Sequence, residues 1–148
     1  MPKYLEDFVA GERIETPART VTEADVVAFA GLSGDYNPIH TDAEFAAGTP
    51  FGQRIAHGLL GLSIASGLAG RTGMLEGTAL AFLAIEDWRF AKPILFGDTV
   101  RARITVLEAR ASSKPGAGVL KRRIELVNQR GEVVQGGTFV TLVKARGK

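Results

Sequence analysis

The sequence has 148 residues, no cysteine, 18 basic and 16 acidic side chains, and a formal net charge of +2. This length lies in the usual range of roughly 100–200 residues per domain, so one domain over residues 1–148 is expected, with a core that needs no staples. The lack of cysteine excludes a disulfide framework, a thiolate-ligated metal or cluster and a cysteine nucleophile, and it fits a reducing compartment.

Near-balanced charge argues against a nucleic-acid partner. The tightest basic cluster, Lys121-Arg122-Arg123, falls in a strand-like segment. Alternation sends its side chains to two faces, so the reading is a solvated strand. No apolar leader follows Met1, and the apolar stretches 59–68 and 78–85 are well short of the ~20 residues that span a bilayer. A cytoplasmic protein without a membrane partner is expected.

The first half of the chain reads as helical. Thr22-Glu23-Ala24-Asp25 has the hydroxyl and carboxylate spacing of a helix start, and Val26, Phe29 and Ala30 follow on one face. Gly31 and Gly34 are expected to end this helix. Asp35-Tyr36-Asn37-Pro38-Ile39-His40 should not be regular helix, because Pro38 lacks a donor and pushes Asn37 away from helical angles. A second helix is predicted over residues 57–70, with Leu60, Ile64 and Leu68 on one face. Gly58, Gly61, Ser63, Ala65, Ser66 and Gly67 make its other faces small. A helix that is apolar or small nearly all round is expected to be buried.

The second half reads as four strands. Residues 80–90 carry Leu80, Phe82, Ala84, Trp88 and Phe90 at even positions, and residues 99–108 alternate with Val100, Ala102, Ile104 and Val106 on one face. Leu120, Ile124 and Leu126 share a face of the third strand; Val134, Val140 and Leu142 share one in the fourth. Residues 129–132 suit a hairpin turn and 112–118 a looser connection. Strands in succession without helices between them imply antiparallel pairing. The fold class is therefore α+β, an antiparallel sheet wrapped against one buried helix.

The sequence contains two histidines, His40 and His57. An Asp35–His40 pair across the Asn-Pro bend can share general acid–base work, with burial and mutual charge setting its pKa values. The bland alternative is a turn-forming aspartate and a loop histidine. His57-Gly58 opens the long helix, whose free N–H groups make a natural oxyanion hole. Gly58 allows close approach of a ligand, or serves only packing. Ser63 bonds either to a ligand or back to its own helix. His40-Thr41-Asp42 with His57 also has the composition of a two-histidine, one-carboxylate iron site, although the spacing is short. Trp88 reads as packing. Arg89 and Lys92 either meet an anionic substrate tail or face water.

Gly34-Asp35-Tyr36-Asn37-Pro38-Ile39-His40 resembles the signature of the MaoC-like dehydratases, the (R)-specific enoyl-CoA hydratases. Residues 51–58, Phe90-Ala91-Lys92-Pro93 and Gly97-Asp98 resemble that family's later segments in the same order. The resemblance implies a hot-dog fold, a curved antiparallel sheet around a long central helix. It implies Asp35 and His40 as the catalytic pair. Asn37, as support of the loop, His57, Gly58 and Ser63 fall in the substrate-binding set. The implied reaction is hydration of a trans-2-enoyl-CoA to the (R)-3-hydroxyacyl-CoA and its reverse, with no metal and no cofactor beyond the coenzyme A of the substrate. A homodimer or higher homo-oligomer is implied as well. The rival readings are a hot-dog acyl-CoA thioesterase and a non-catalytic acyl-CoA-binding protein.

Overall fold

The computed structural model describes residues 1–147. Four helices and a 3-10 turn (Leu5–Asp7) precede or interleave a sheet of six strands. The helices are α1 (Glu23–Ser33), α2 (Pro38–Thr41), α3 (Ala43–Ala47) and α4 (Gly58–Gly70). The strands are β1 (Arg13–Glu15), β2 (Arg19–Thr20), β3 (Ala79–Phe90), β4 (Thr99–Ala111), β5 (Ala117–Val127) and β6 (Val133–Lys144). All pairings are antiparallel, in the order β1-β4-β5-β6-β3, with β2 also on β4. The curved sheet packs over α4, as the α+β, hot-dog expectation requires.

The predicted start of α1 is present. The Asp25 N–H donates to Thr22 Oγ1 (3.2 Å), and the Thr22 N–H donates to Asp25 Oδ2 (2.9 Å). Gly31 does not end the helix; it continues to Ser33, and Gly34 closes it in a left-handed conformation. The expectation for residues 35–40 is corrected too. Pro38 opens the single turn α2, at the one helical position where its missing donor is harmless. The Asn37 side chain caps this turn, and Asp42 caps the unpredicted α3.

Helix α4 buries Leu60, Ile64 and Leu68 as the spacing predicts, together with Gly61, Ala65 and Ala69. It is not enclosed all round. Leu59, Ser63, Ser66, Gly67 and Gly70 form an exposed stripe, because the sheet of one chain covers only one side. On the covered side the contact is close. A Cβ at Gly61 would lie 2.2 Å from Gln135 Nε2 and 2.7 Å from Ile94 Cδ1, so only glycine lets α4 and β6 approach this far.

Strands β1 and β2 were not predicted; three and two residues long and exposed, they carry no apolar period and exist through pairing with β4. In β3 the even-numbered face is not a core face. Leu80, Phe82 and Phe90 are exposed, and the register shifts three times, the last beside Asp87 at φ +53°. In β6 Val134 lies in the core as its pattern predicts, but further along Phe139 and Val143 join the core clusters rather than Val140 and Leu142. A register shift between Leu126 and Val127 displaces the β6 pattern by one residue, which reverses the face of all that follows. The main core joins Val26, Leu60, Ile64, Leu68, Ile104, Ile124, Leu126 and Phe139.

The basic cluster also departs from expectation. Lys121 and Arg123 are half-buried on the outer face, where Lys121 pairs with Glu86. Arg122 points inward with Leu120 and Ile124 and is 5% exposed, so it is not a solvated side chain.

The β5–β6 turn carries a charge cluster with a testable consequence. Lys92 first, then Asn128 and Arg130, hold the Glu132 carboxyl down to about 2. The folded pKa lies below the unfolded one, so the unfolded chain binds more protons and this contribution is lost as pH falls. The melting-temperature gap between wild type and Glu132→Gln is expected to be present at pH 7 and to close between about pH 4.5 and 2. A gap independent of pH would contradict the assignment.

Candidate active site

The first turn of α4 and the loop after α1 form a cleft of about 310 Å³. It is lined by Phe29, Ser33, Asp35, His40, His57, Gly58, Leu59 and Phe90. Four of the six residues expected at the site lie here: Asp35, His40, His57 and Gly58. Asn37 lies behind them. Its N–H donates to Asp35 Oδ1 (3.1 Å), and its own Oδ1 accepts from the Ile39 N–H (3.1 Å), so it fixes the loop that aims Asp35. Ser63 is outside the cleft, one turn along α4, where its hydroxyl donates to the Leu59 carbonyl (2.9 Å). That is the back-bonded alternative foreseen for it.

Tertiary structure sets the histidines. His40 is buried, and its Nδ1 sits 2.7 Å from the Ile55 carbonyl oxygen. A carbonyl only accepts, so Nδ1 carries the proton, and neutral His40 presents its lone pair on Nε2. His57 is 2% exposed and donates from Nε2 to the Asp35 main-chain oxygen (2.9 Å), which leaves a buried Nδ1 without a partner. The two rings stack with centroids 3.8 Å apart and planes 25° apart. His57 therefore braces both the ring of His40 and the backbone of Asp35.

A carboxylate oxygen of Asp35 and one nitrogen of each histidine lie within 4.8 Å of one another. Among the described residues no direct hydrogen bond joins the Asp35 carboxylate to either ring. One water fits this gap, donating one hydrogen to the Asp35 carboxylate and the other to the lone pair of His40 Nε2. The same three side chains are a candidate metal set by proximity. One ring nitrogen of each histidine is already taken, His40 Nδ1 by the Ile55 carbonyl and His57 Nε2 by the Asp35 main-chain oxygen. Asp42 is not part of the cluster, because its carboxylate caps α3. The set of His40, Asp42 and His57 is therefore not brought together; Asp35 stands with the two histidines instead.

Gly58 is the first residue of α4, and its N–H has no acceptor among the described residues. A Cβ there would lie 2.9 Å from the Phe90 ring, so the glycine and Phe90 together shape the cleft wall. The helix start is held by residues the sequence did not single out for the site. Trp88 Nε1 donates to Gln135 Oε1 (3.2 Å), and Gln135 Nε2 donates to the Gly58 carbonyl (3.0 Å). Gln135 is 2% exposed. Gly61→Ala would drive a methyl into this amide. A loss of about 1–3 kcal/mol in a urea titration, with a change in Trp88 fluorescence, is expected. Arg89 and Lys92 face water, each in a surface ion pair: Arg89 with Asp87 (2.7 Å) and Lys92 with Glu132.

Among the described residues, no helix is long and apolar enough to cross a membrane. The chain is 42% identical over 103 residues to "Protein MaoC" of Klebsiella aerogenes, a match to 70% of this chain but only 30% of that protein. It is 41% identical over 99 residues to an (R)-specific enoyl-CoA hydratase of Aeromonas caviae, covering 67% of this chain and 71% of the relative. A crystal structure of an Archaeoglobus fulgidus protein, described as a monoamine oxidase regulatory protein, superposes with a TM-score of 0.92 at 40% identity. That likeness covers 98% of this chain and 96% of the other. Residues 7–127 match the family model described as MaoC like domain, and the chain belongs to that family of dehydratases.

Proposed function

We propose that this chain hydrates trans-2-enoyl thioesters of coenzyme A to (R)-3-hydroxyacyl thioesters and catalyses the reverse dehydration. The observation that carries this reading is the water-sized gap between the Asp35 carboxylate and the His40 ring, beside the free N–H at the start of α4. The thioester carbonyl accepts from the Gly58 N–H, where the helix dipole also favours negative charge. Water held by Asp35 and His40 adds its oxygen to Cβ. One of the pair takes a proton from that water, and a proton is delivered to Cα, so the elements of water add across the double bond. The two groups act as a pair. The (R) outcome is carried over from the named activity of the Aeromonas caviae relative. No metal or redox group enters the sequence of steps.

We also propose that the working unit is a homodimer. Strand β3 is an edge strand with Leu80, Phe82, Leu83 and Ile85 all exposed. An apolar, unpaired edge of this kind is what a second copy covers. Light scattering after gel filtration is expected to give twice the chain mass.

The activity is tested by following loss of the enoyl-thioester absorbance of trans-crotonyl-CoA and of longer and branched enoyl-CoAs, with chiral analysis of the product. Rapid loss with no free thiol supports the hydratase. Thiol release would show a thioesterase instead, and binding without turnover would show an acyl-CoA-binding protein.

A further inference from the structure

Gln135 is a polar side chain in an apolar place. It stands on β6, opposite Phe90 of β3 and Leu126 of β5, and is 2% exposed. With Ala56, Gly58, Phe90 and Ile94 it lines a cleft that shares Gly58 and Phe90 with the catalytic one. An amide enclosed in such a wall is unfavourable unless both its ends are paired, a demand that a leucine of similar size would not make. Both ends of Gln135 are paired, and one of the partners is Gly58.

The direction of the amide is fixed from outside. An indole N–H only donates, so Trp88 selects the Gln135 oxygen and turns the NH2 toward the Gly58 carbonyl. Trp88 and Phe90 both stand on β3, so one strand orients the amide and also sets a ring against the Gly58 Cα. Gly58 needs such bracing. It is the first residue of α4, where the N–H has no intrahelical acceptor, and without a Cβ its torsions are the least restricted in the chain.

We propose that Gln135 is a positioning residue for the reaction, acting through Gly58, with Trp88 setting the direction of its amide. Gln135 fixes the Gly58 carbonyl, and with it the torsions of that residue, so that the N–H on its other side points to where the thioester oxygen gains charge. The inference rests on the reading given above, in which that N–H receives the thioester carbonyl. A donor stabilises developing charge only if it is already aimed. A misplacement of about 1 Å costs on the order of 10²-fold in rate.

Gln135→Leu removes the donor at similar volume, and Trp88→Phe leaves the amide free to turn. Val143→Ala, a truncation in the separate core cluster around Leu120 and Met74, is the control for lost stability alone. With crotonyl-CoA, Gln135→Leu is expected to lower kcat about 10–100-fold and to leave KM within about threefold of wild type, since an aimed donor acts in the transition state. Trp88→Phe should fall between the two, and Val143→Ala should keep its kcat. A second readout needs no turnover: the infrared carbonyl stretch of bound butyryl-CoA, isotope-labelled at its carbonyl carbon. Wild type is expected to move this stretch to lower wavenumber than in buffer, and Gln135→Leu to give back most of that shift. A shift retained in Gln135→Leu would overturn the proposal whatever the rate. So would a wild-type stretch equal to that in buffer, or a kcat lost equally in Val143→Ala. If Gln135→Leu does not fold, Trp88→Phe decides on the same readouts. The hydratase reading fails separately: wild type that leaves every enoyl-CoA intact would end that reading, while a butyryl-CoA shift that depends on Gln135 would still uphold this one.

Discussion

Asp35→Asn and His40→Ala are each expected to lower the rate of crotonyl-CoA hydration by about 10²–10⁴-fold, the usual contribution of a positioned acid or base. Neither should unfold the protein. Asp35 is exposed, and asparagine retains the oxygen that accepts from the Asn37 N–H. His40→Ala leaves a gap beneath the stacked ring of His57, so its melting temperature needs to be recorded beside its rate. The two losses are not expected to add. A water activated by the pair is already lost when one member is gone, so the double variant should resemble the more damaged single one. A single variant that keeps activity within about tenfold of wild type would remove its residue from the catalytic pair.

The largest loss of stability is expected at Phe139. It is 1% exposed, with Phe82 and Trp88 ring centroids 5.0 Å and 5.6 Å away. Phe139→Ala should destabilise by about 3–5 kcal/mol, because the removed ring leaves a cavity that the sheet cannot close. For a chain of this size that is a fall of roughly 10 °C in melting temperature. Leu32, at 85% exposure on α1, is the control. Leu32→Ala should stay within about 0.5 kcal/mol of wild type. A small effect at Phe139 would mean that α4 and β6 are held mainly by the close contact at Gly61 and by the Trp88–Gln135–Gly58 hydrogen bonds.

What sequence alone determined is what a few neighbouring residues encode. The reciprocal cap of Thr22 and Asp25 sets the start of α1, and the spacing of Leu60, Ile64 and Leu68 sets the buried face of α4. The five-residue step from Asp35 to His40 carries the proposed catalytic pair, because capping by Asn37 and the turn at Pro38 are local events. Tertiary structure decided the rest. His57 joined the pair only when α4 docked and its ring found the Asp35 carbonyl, a contact 22 residues apart. Strands β1 and β2 exist only as partners of β4. The faces of β3 and β6 and the burial of Arg122 depend on pairing between strands far apart in sequence. A helix face follows from its own spacing, but a strand face follows from register, and one bulge reverses it.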